Sequence, residues 1–274
     1  MKTILAPTDF SAPALNAIYY GAEVCRRMGT KLVLLNAYHI PVVASEIPIV
    51  IPGDDEMEKD GLENLNNIKL ELERVFGTNL KVELVCVSGY PEDAIRDYCQ
   101  KNDVAYVVMG MEGTGFIEER FIGSTTTSLL RNSRTPILSI AQSVKFRDIK
   151  RIVLTEDYEG FENPELLNPM KDLARLFNSH IYVLHVSRED DAVSEQVKNS
   201  IRKKLDELLH GFQHSYHSEP NKHIVEGINA FVLEKNANMI VMIPKKNSIQ
   251  SLFFRSESKR MAFHTDVPLL TIHE

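Results

Sequence analysis

The opening stretch KTILAPTDFS at residues 2–11 returns as KRIVLTEDYE at 150–159, and further echoes follow in the same order. KLVLLNA at 31–37 answers to HIYVLHV at 180–186, and a glycine after a strand recurs at Gly227. VAYVVM at 104–109 pairs with NMIVMI at 238–243, and TPILSI at 135–140 with VPLLTI at 267–272. Matches that keep their order mark one supersecondary unit used twice. In the first copy an apolar run ends in turn chemistry, Ser11 and Pro13 open an amphipathic segment and Gly29 closes it, so a strand leads into a helix. Strands at Lys31–Ala37, Leu80–Val87, Val104–Met109 and Pro136–Ile140 follow, with a helix ending near Phe76, another after Pro91 and one entered at Gly123–Ser124. Val-, Ile- and Leu-rich strands that alternate with helices predict a parallel sheet covered on both faces, with right-handed crossovers.

The expected fold class is therefore α/β: two tandem open five-stranded parallel-sheet sandwiches with helices on both faces, Rossmann-like in type. A chain of 274 residues exceeds the roughly 100–200 residues of a single domain. The sequence predicts domains at 1–142 and 150–274, with QSVKFRDI around 143–149 as the linker. A net charge of −7 supplies no basic field for a phosphate backbone, so nucleic acid is excluded as a partner. MKTILAPTDFS has too short an apolar run for a signal peptide, and no stretch reaches the ~20 apolar residues of a membrane span. A cytoplasmic protein is expected. Cys25, Cys86 and Cys99 form no CxxC and sit among apolar neighbours, as reduced core thiols do.

The most informative segment is Met109–Thr127, MGMEGTGFIEERFIGSTTT, which leaves a buried strand, crosses a glycine-bearing loop and enters a helix. Gly110 and Gly113 would let the backbone turn sharply and approach a ligand, and Gly123 would do so at the helix entrance. Ser124, Thr125 and Thr126 would add hydroxyls at a helix N-terminus, where unpaired N–H groups and the macrodipole favour an anion. Open α/β sheets bind ligands beyond the carboxyl ends of their strands, so Asp9, ending the first strand, and Gly110 face one crevice. A carboxylate there accepts hydrogen bonds from ribose hydroxyls. No Walker loop, SGGxDS, HIGH or KMSKS motif is present.

Gly110-x2-Gly113-x9-Gly123-Ser124 matches the G-x2-G-x9-G-[ST] signature of ATP-binding universal stress proteins, and PTDFS at 7–11 resembles that family's first-strand ending. GYP at 89–91 and the TPILSI strand are similar to the family as well. The resemblance covers both repeats. It implies the adenine nucleotide alpha hydrolase-like variety of the fold, with Pro7, Thr8 and Asp9 lining an adenosine pocket. Ala37, where the family often has a larger aliphatic, would meet adenine through its backbone, and Met109 would back the pocket. Gly110, Gly113, Gly123, Ser124 and Thr125 would hold the phosphates of ATP, AMP or ADP, with Mg²⁺ or Mn²⁺ bridging them, and Arg120 would sit in the same loop. The resemblance also implies that the closing strands Pro136–Ile140 and Pro268–Ile272 pair between the domains.

The second copy has lost that loop. Ile243–His264, IPKKNSIQSLFFRSESKRMAFH, contains no glycine, although Asp157 stands opposite Asp9 and Val186 opposite Ala37. This domain is expected not to bind ATP and to serve packing or a partner. Its Lys245, Lys246, Arg255, Lys259 and Arg260 read as a solvated basic face. His210 and His214 are four apart, a spacing that can place both on one helix face, with His217 and His223 in loop or strand beyond. No metal site is expected there. The segment Tyr38–Lys59, with Pro41, Pro48 and Pro52 among Ile and Val, reads as an apolar contact surface or a lid. The functional expectation is a stress-response regulatory protein in which ATP in the first domain alters affinity for an unidentified protein partner. A homodimer of the chain is expected. The rivals are a nucleotide-independent scaffold and slow ATP hydrolysis, for which Glu112, Glu118 and Glu119 are the nearest carboxylates; no catalytic residue is assigned.

Overall fold

The computed structural model describes residues 2–39, 53–111, 124–158, 163–187, 194–243 and 267–273. The first half runs β1 (Thr3–Pro7), α1 (Ala12–Met28), β2 (Lys31–Tyr38), α2 (Asp54–Phe76), β3 (Val82–Ser88), α3 (Pro91–Lys101), β4 (Val104–Met111), α4 (Ser124–Asn132) and β5 (Ile137–Ala141). The second runs β6 (Arg151–Thr155), α5 (Asn168–Phe177), β7 (His180–Ser187), α6 (Glu195–Leu208), β8 (His214–Pro220), α7 (Ile224–Glu234), β9 (Met239–Met242) and β10 (Leu269–Thr271). A short 3₁₀ turn at Pro164–Leu167 precedes α5.

Capping follows the sequence cues. Ser11 caps α1 by accepting from the Ala14 N–H at 3.4 Å, and Gly29 ends it at φ +65°, a left-handed conformation that suits glycine. Strands β1, β2, β4 and β5 are buried nearly throughout because helices cover both faces. Residues of α1, α2, α5 and α6 share one core cluster, while α3, α4 and α7 pack on the opposite face.

The ten strands of the described residues form one sheet, in the order β3-β2-β1-β4-β5-β10-β9-β6-β7-β8. Within each half the strands are parallel, and β5 meets β10 antiparallel with Leu138 opposite Leu270. The closing strands pair as the resemblance implied, so the two sandwiches expected from the sequence are fused along their sheets. Further contacts cross the seam. Tyr106 Oη donates to the Pro169 carbonyl at 2.7 Å, and Lys2 pairs with Asp172 at 3.0 Å. Arg27 pairs with Asp148 and lies over the rings of Phe146 and Phe177 at 4.8 and 5.5 Å. Guanidinium over an aromatic face is attractive and adds to the burial beneath it.

The histidines of the second half are not arranged on one helix. His210 lies in the turn after α6, whereas His214 opens β8, and strand geometry sends His214 and His217 to opposite faces. His214 bonds Asp206 at 3.0 Å and the Phe212 carbonyl at 2.9 Å. On the other face His180 Nε2, Ser215 Oγ and His217 Nε2 form a chain with links of 2.9 and 3.0 Å. Among the described residues no three His, Cys, Asp or Glu side chains are placed to hold a metal.

Burial holds both His180 and His217 below the ordinary imidazole pKa; His214 adds repulsion at the first and Lys235 at the second, with Glu219 and Glu234 opposing. A histidine whose pKa is depressed by folding contributes its stability in full above the unfolded value near 6.5, and that stability is lost as pH falls from there through the lower folded value. We expect the thermal midpoint to drop between pH 7.5 and 5.5. A His180→Gln/His217→Gln double variant should show a shallower drop in parallel melts.

Candidate functional site: a cleft at the carboxyl end of the first half

Beyond the carboxyl ends of β1, β2 and β4 the first half opens a cleft of about 340 Å³. That volume lies within the range of roughly 300–1,000 Å³ usual for small-molecule sites. One wall is the β1 ending, Pro7, Thr8 and Asp9, followed by Ser11, Pro13 and Ala14 of the α1 entrance. Leu35 and Ala37 of β2, Pro91 and Ile95 of α3, and Met109 and Gly110 of β4 form the floor and far side, and Thr125 and Thr126 of α4 close it. The α4 entrance at Ser124 lies beside the same opening, and a helix N-terminus carries backbone N–H groups without intrahelical partners.

The strand-end turn is tightly specified. Thr8 N donates to Leu35 O at 2.8 Å, Phe10 N to Thr8 Oγ1 at 2.9 Å, and Ser11 N to Asp9 Oδ1 at 3.0 Å. Phe10 adopts φ +66°, which a bulky residue takes only when its surroundings enforce it. Asn36, buried in β2, supplies a strut: its Nδ2 donates to the Thr8 carbonyl at 2.8 Å. The second half repeats this construction, with Tyr158 at φ +61°, Tyr158 N bonded to Glu156 Oε1 at 2.8 Å, and His185 Nδ1 on the Glu156 carbonyl at 2.9 Å.

Asp9 is exposed and is the only charged side chain among the described lining residues. Its Oδ1 serves the turn, while Oδ2 has no partner among the described residues and can accept from a ligand hydroxyl. The first turn of α4 carries no acidic residue, so nothing there opposes an anion.

Of the expected site residues, Pro7, Thr8, Asp9, Ala37, Met109, Gly110 and Thr125 meet in this cleft, and Ser124 opens α4 beside it. Gly113, Gly123 and Arg120, with Glu112, Glu118 and Glu119, lie outside the described residues, as do Pro41, Pro48 and Pro52 and the basic residues Lys245 to Arg260. One expectation is corrected. Gly110 does not turn the chain; it sits inside β4, paired with Ile140, and its bare Cα admits the backbone of Pro13 and Ala14.

Sequence reading missed Asn36, although its register with His185 in the repeat was a usable signal. It also missed Pro91 and Ile95, which reach the cleft because the β3-to-β4 crossover sets α3 over this face.

In the second half Val186 holds the register position of Ala37, two residues beyond the strand pair Thr155–Leu184 as Ala37 is beyond Pro7–Leu35. Its methyl leans on Gly227 of α7, where an added Cβ would lie 2.7 Å from Val186 Cγ1. Gly227 corresponds to Ala94 of α3, each donating its N–H to the residue preceding its helix.

The sequence profile of the Universal stress protein family matches residues 1–140. A universal stress protein of Methanocaldococcus jannaschii is 24% identical over 151 residues, spanning 53% of this chain and 84% of the relative. One from Synechocystis sp. is 34% identical over 91 residues, 33% of this chain and 31% of the relative. The crystal structure of a universal stress protein from Archaeoglobus fulgidus superposes with a TM-score of 0.75 at 18% identity, covering 99% of this chain and 98% of the other. That last likeness establishes the fold along the whole length. With the profile spanning half of it, the chain belongs to the universal stress protein family.

Proposed function

We propose that this is an ATP-binding regulatory protein of the stress response, with the nucleotide held in the first of two domains, 1–142 and 150–274, joined by 143–149. The observation that carries the reading is the convergence of Asp9, Ala37, Met109, Gly110 and Thr125 on one cleft beside the α4 entrance. Adenine fits between Ala37 and the α3 residues Pro91 and Ile95, ribose hydroxyls on Asp9 Oδ2, and phosphates at the start of α4 with Gly113 and Gly123. AMP and ADP would occupy the same cleft. With Asp9 the one lining carboxylate among the described residues, Mg²⁺ or Mn²⁺ would take most of its ligands from phosphate oxygens and water.

Slow ATP hydrolysis stays the rival reading; Glu112, Glu118 and Glu119, its nearest carboxylates, lie outside the described residues. A switch requires different affinities in two conformations, since equal affinity shifts nothing. The second domain serves packing or an unidentified partner. Because β5 and β10 are consumed within the chain, a homodimer would use another surface. No helix among the described residues is long and apolar enough to cross a membrane, in keeping with a cytoplasmic site of action.

The test is calorimetric titration of nucleotide-stripped protein with Mg-ATP. One saturable site per chain is expected. Asp9→Asn keeps the acceptor for Ser11 N but replaces the second oxygen by an amide, and should weaken binding by about tenfold or more through loss of a charge-assisted hydrogen bond. No binding at millimolar Mg-ATP would sink the reading and leave the scaffold in its place; two sites would overturn the assignment to the first domain.

A further inference from the structure

A second cavity, of about 390 Å³, shares no described lining residue with the nucleotide cleft; it lies further along the same edge of the sheet, because β10 runs antiparallel to β5, where the connector leaving β5 passes the start of β9 and β10 and the end of α7. Junctions of this kind are favoured places for small-molecule sites. Its described lining carries two cations, Lys145 and Arg147, and no carboxylate. The nearest acid along the chain, Asp148, is engaged by Arg27, and Lys145 is steered by a 3.2 Å bond to Asn16 Oδ1. The apolar part includes Val232 and Leu233 of α7, the latter 75% exposed beside the opening.

Tyr20 of α1 also lines the cavity. It is 2% exposed, yet its hydroxyl has no hydrogen-bond partner among the described residues. A buried hydroxyl without a partner is costly, and proteins satisfy such groups with water or ligand. Burial pushes the Tyr20 pKa well above its ordinary value, so the group remains a neutral donor.

We propose that this cavity binds a small organic anion with an apolar body, the acidic head on Lys145, Arg147 and the Tyr20 hydroxyl and the body against Val232 and Leu233. The site is separate from the nucleotide cleft and does not depend on it.

The experiment uses the full chain and the fluorescence of 1-anilinonaphthalene-8-sulfonate, with decanoate as competitor and Mg-ATP present throughout to occupy the other cleft. Saturable enhancement displaced by decanoate is expected. Lys145→Ser/Arg147→Ser should weaken the probe about fivefold, the worth of two partly exposed charge contacts. Leu233→Glu, on an exposed helix position, should weaken it at least as much by removing apolar wall and adding repulsion. Tyr20→Phe should weaken it severalfold while the thermal midpoint holds or rises, because the hydroxyl it deletes bonds nothing in the protein. A merely structural Tyr20 would instead lower the midpoint and leave the probe unaffected. Absence of saturable binding, or equal binding in the parent and all three variants, overturns the proposal.

Discussion

Gly110→Ala lowers the thermal midpoint by roughly 6–12 °C, and Gly110→Val leaves little folded protein. The reason is contact, not conformation. A Cβ built on Gly110 falls 2.4 Å from the carbonyl carbon and oxygen of Pro13 and 2.6 Å from Ala14 N, all of them backbone atoms at the entrance of α1. Real Cβ atoms do not approach backbone so closely, and the helix cannot yield easily, since its start is fixed by the Ser11 cap and the Asp9 turn. Forcing a methyl into a closed site costs about 3 kcal/mol when the neighbours are rigid. In a chain of this size each kcal/mol moves the midpoint by about 2–4 °C. The second half contains the control. There the helix after β6 is delayed to Asn168, behind the Pro164–Leu167 turn, and Ile243 stands where Gly110 would be. Scanning calorimetry decides: an alanine variant melting within about 2 °C of the parent would show that α1 slides away at little cost.

The same glycine marks what the sequence could and could not convey. The duplication and the strand–helix alternation were legible because each rests on local pattern: apolar runs, Ser11 and Gly29 as caps, VPLLTI beside TPILSI; the pairing of the closing strands came from the family resemblance alone. Gly110 was also visible as a glycine at a strand end, but its purpose was misread, because a requirement for close approach depends on which backbone lies opposite. Strand β8, HSYHSEP, was hidden for another reason. It is an edge strand with only one neighbour, so its polar residues need no apolar alternation; His214 was read with His210 as a helix face, and His217 was left to loop or strand. Asn36 looks from sequence like a polar interruption of an apolar strand, and only the 2.8 Å bond to Thr8 O reveals it as the strut beneath the Asp9 turn.

Ala37→Phe should abolish measurable Mg-ATP binding, a loss of at least about a hundredfold, while leaving stability nearly unchanged; Val186→Ala should do the reverse. The two positions share one register in the repeat but pack differently. In the second half the strand carries valine and the facing helix glycine, so the Val186 side chain fills the notch above Gly227 and is only 7% exposed. In the first half the strand carries alanine and the helix Ala94, which leaves Ala37 half-buried on the wall of an open cleft. By the correspondence of Ala94 with Gly227, the α3 position facing Ala37 carries a methyl instead of a bare Cα, so a ring at 37 is expected to project into the 340 Å³ cleft that Ala37 lines. Little is strained, because the ring enters open space. Truncating Val186 removes two buried methyl groups above a glycine and should cost about 2 kcal/mol, with no effect on nucleotide affinity. Parallel titration and thermal melts of the two variants separate the outcomes. If Ala37→Phe binds Mg-ATP as the parent does, adenine does not lie against β2. If Val186→Ala changes the affinity, the second half holds nucleotide after all.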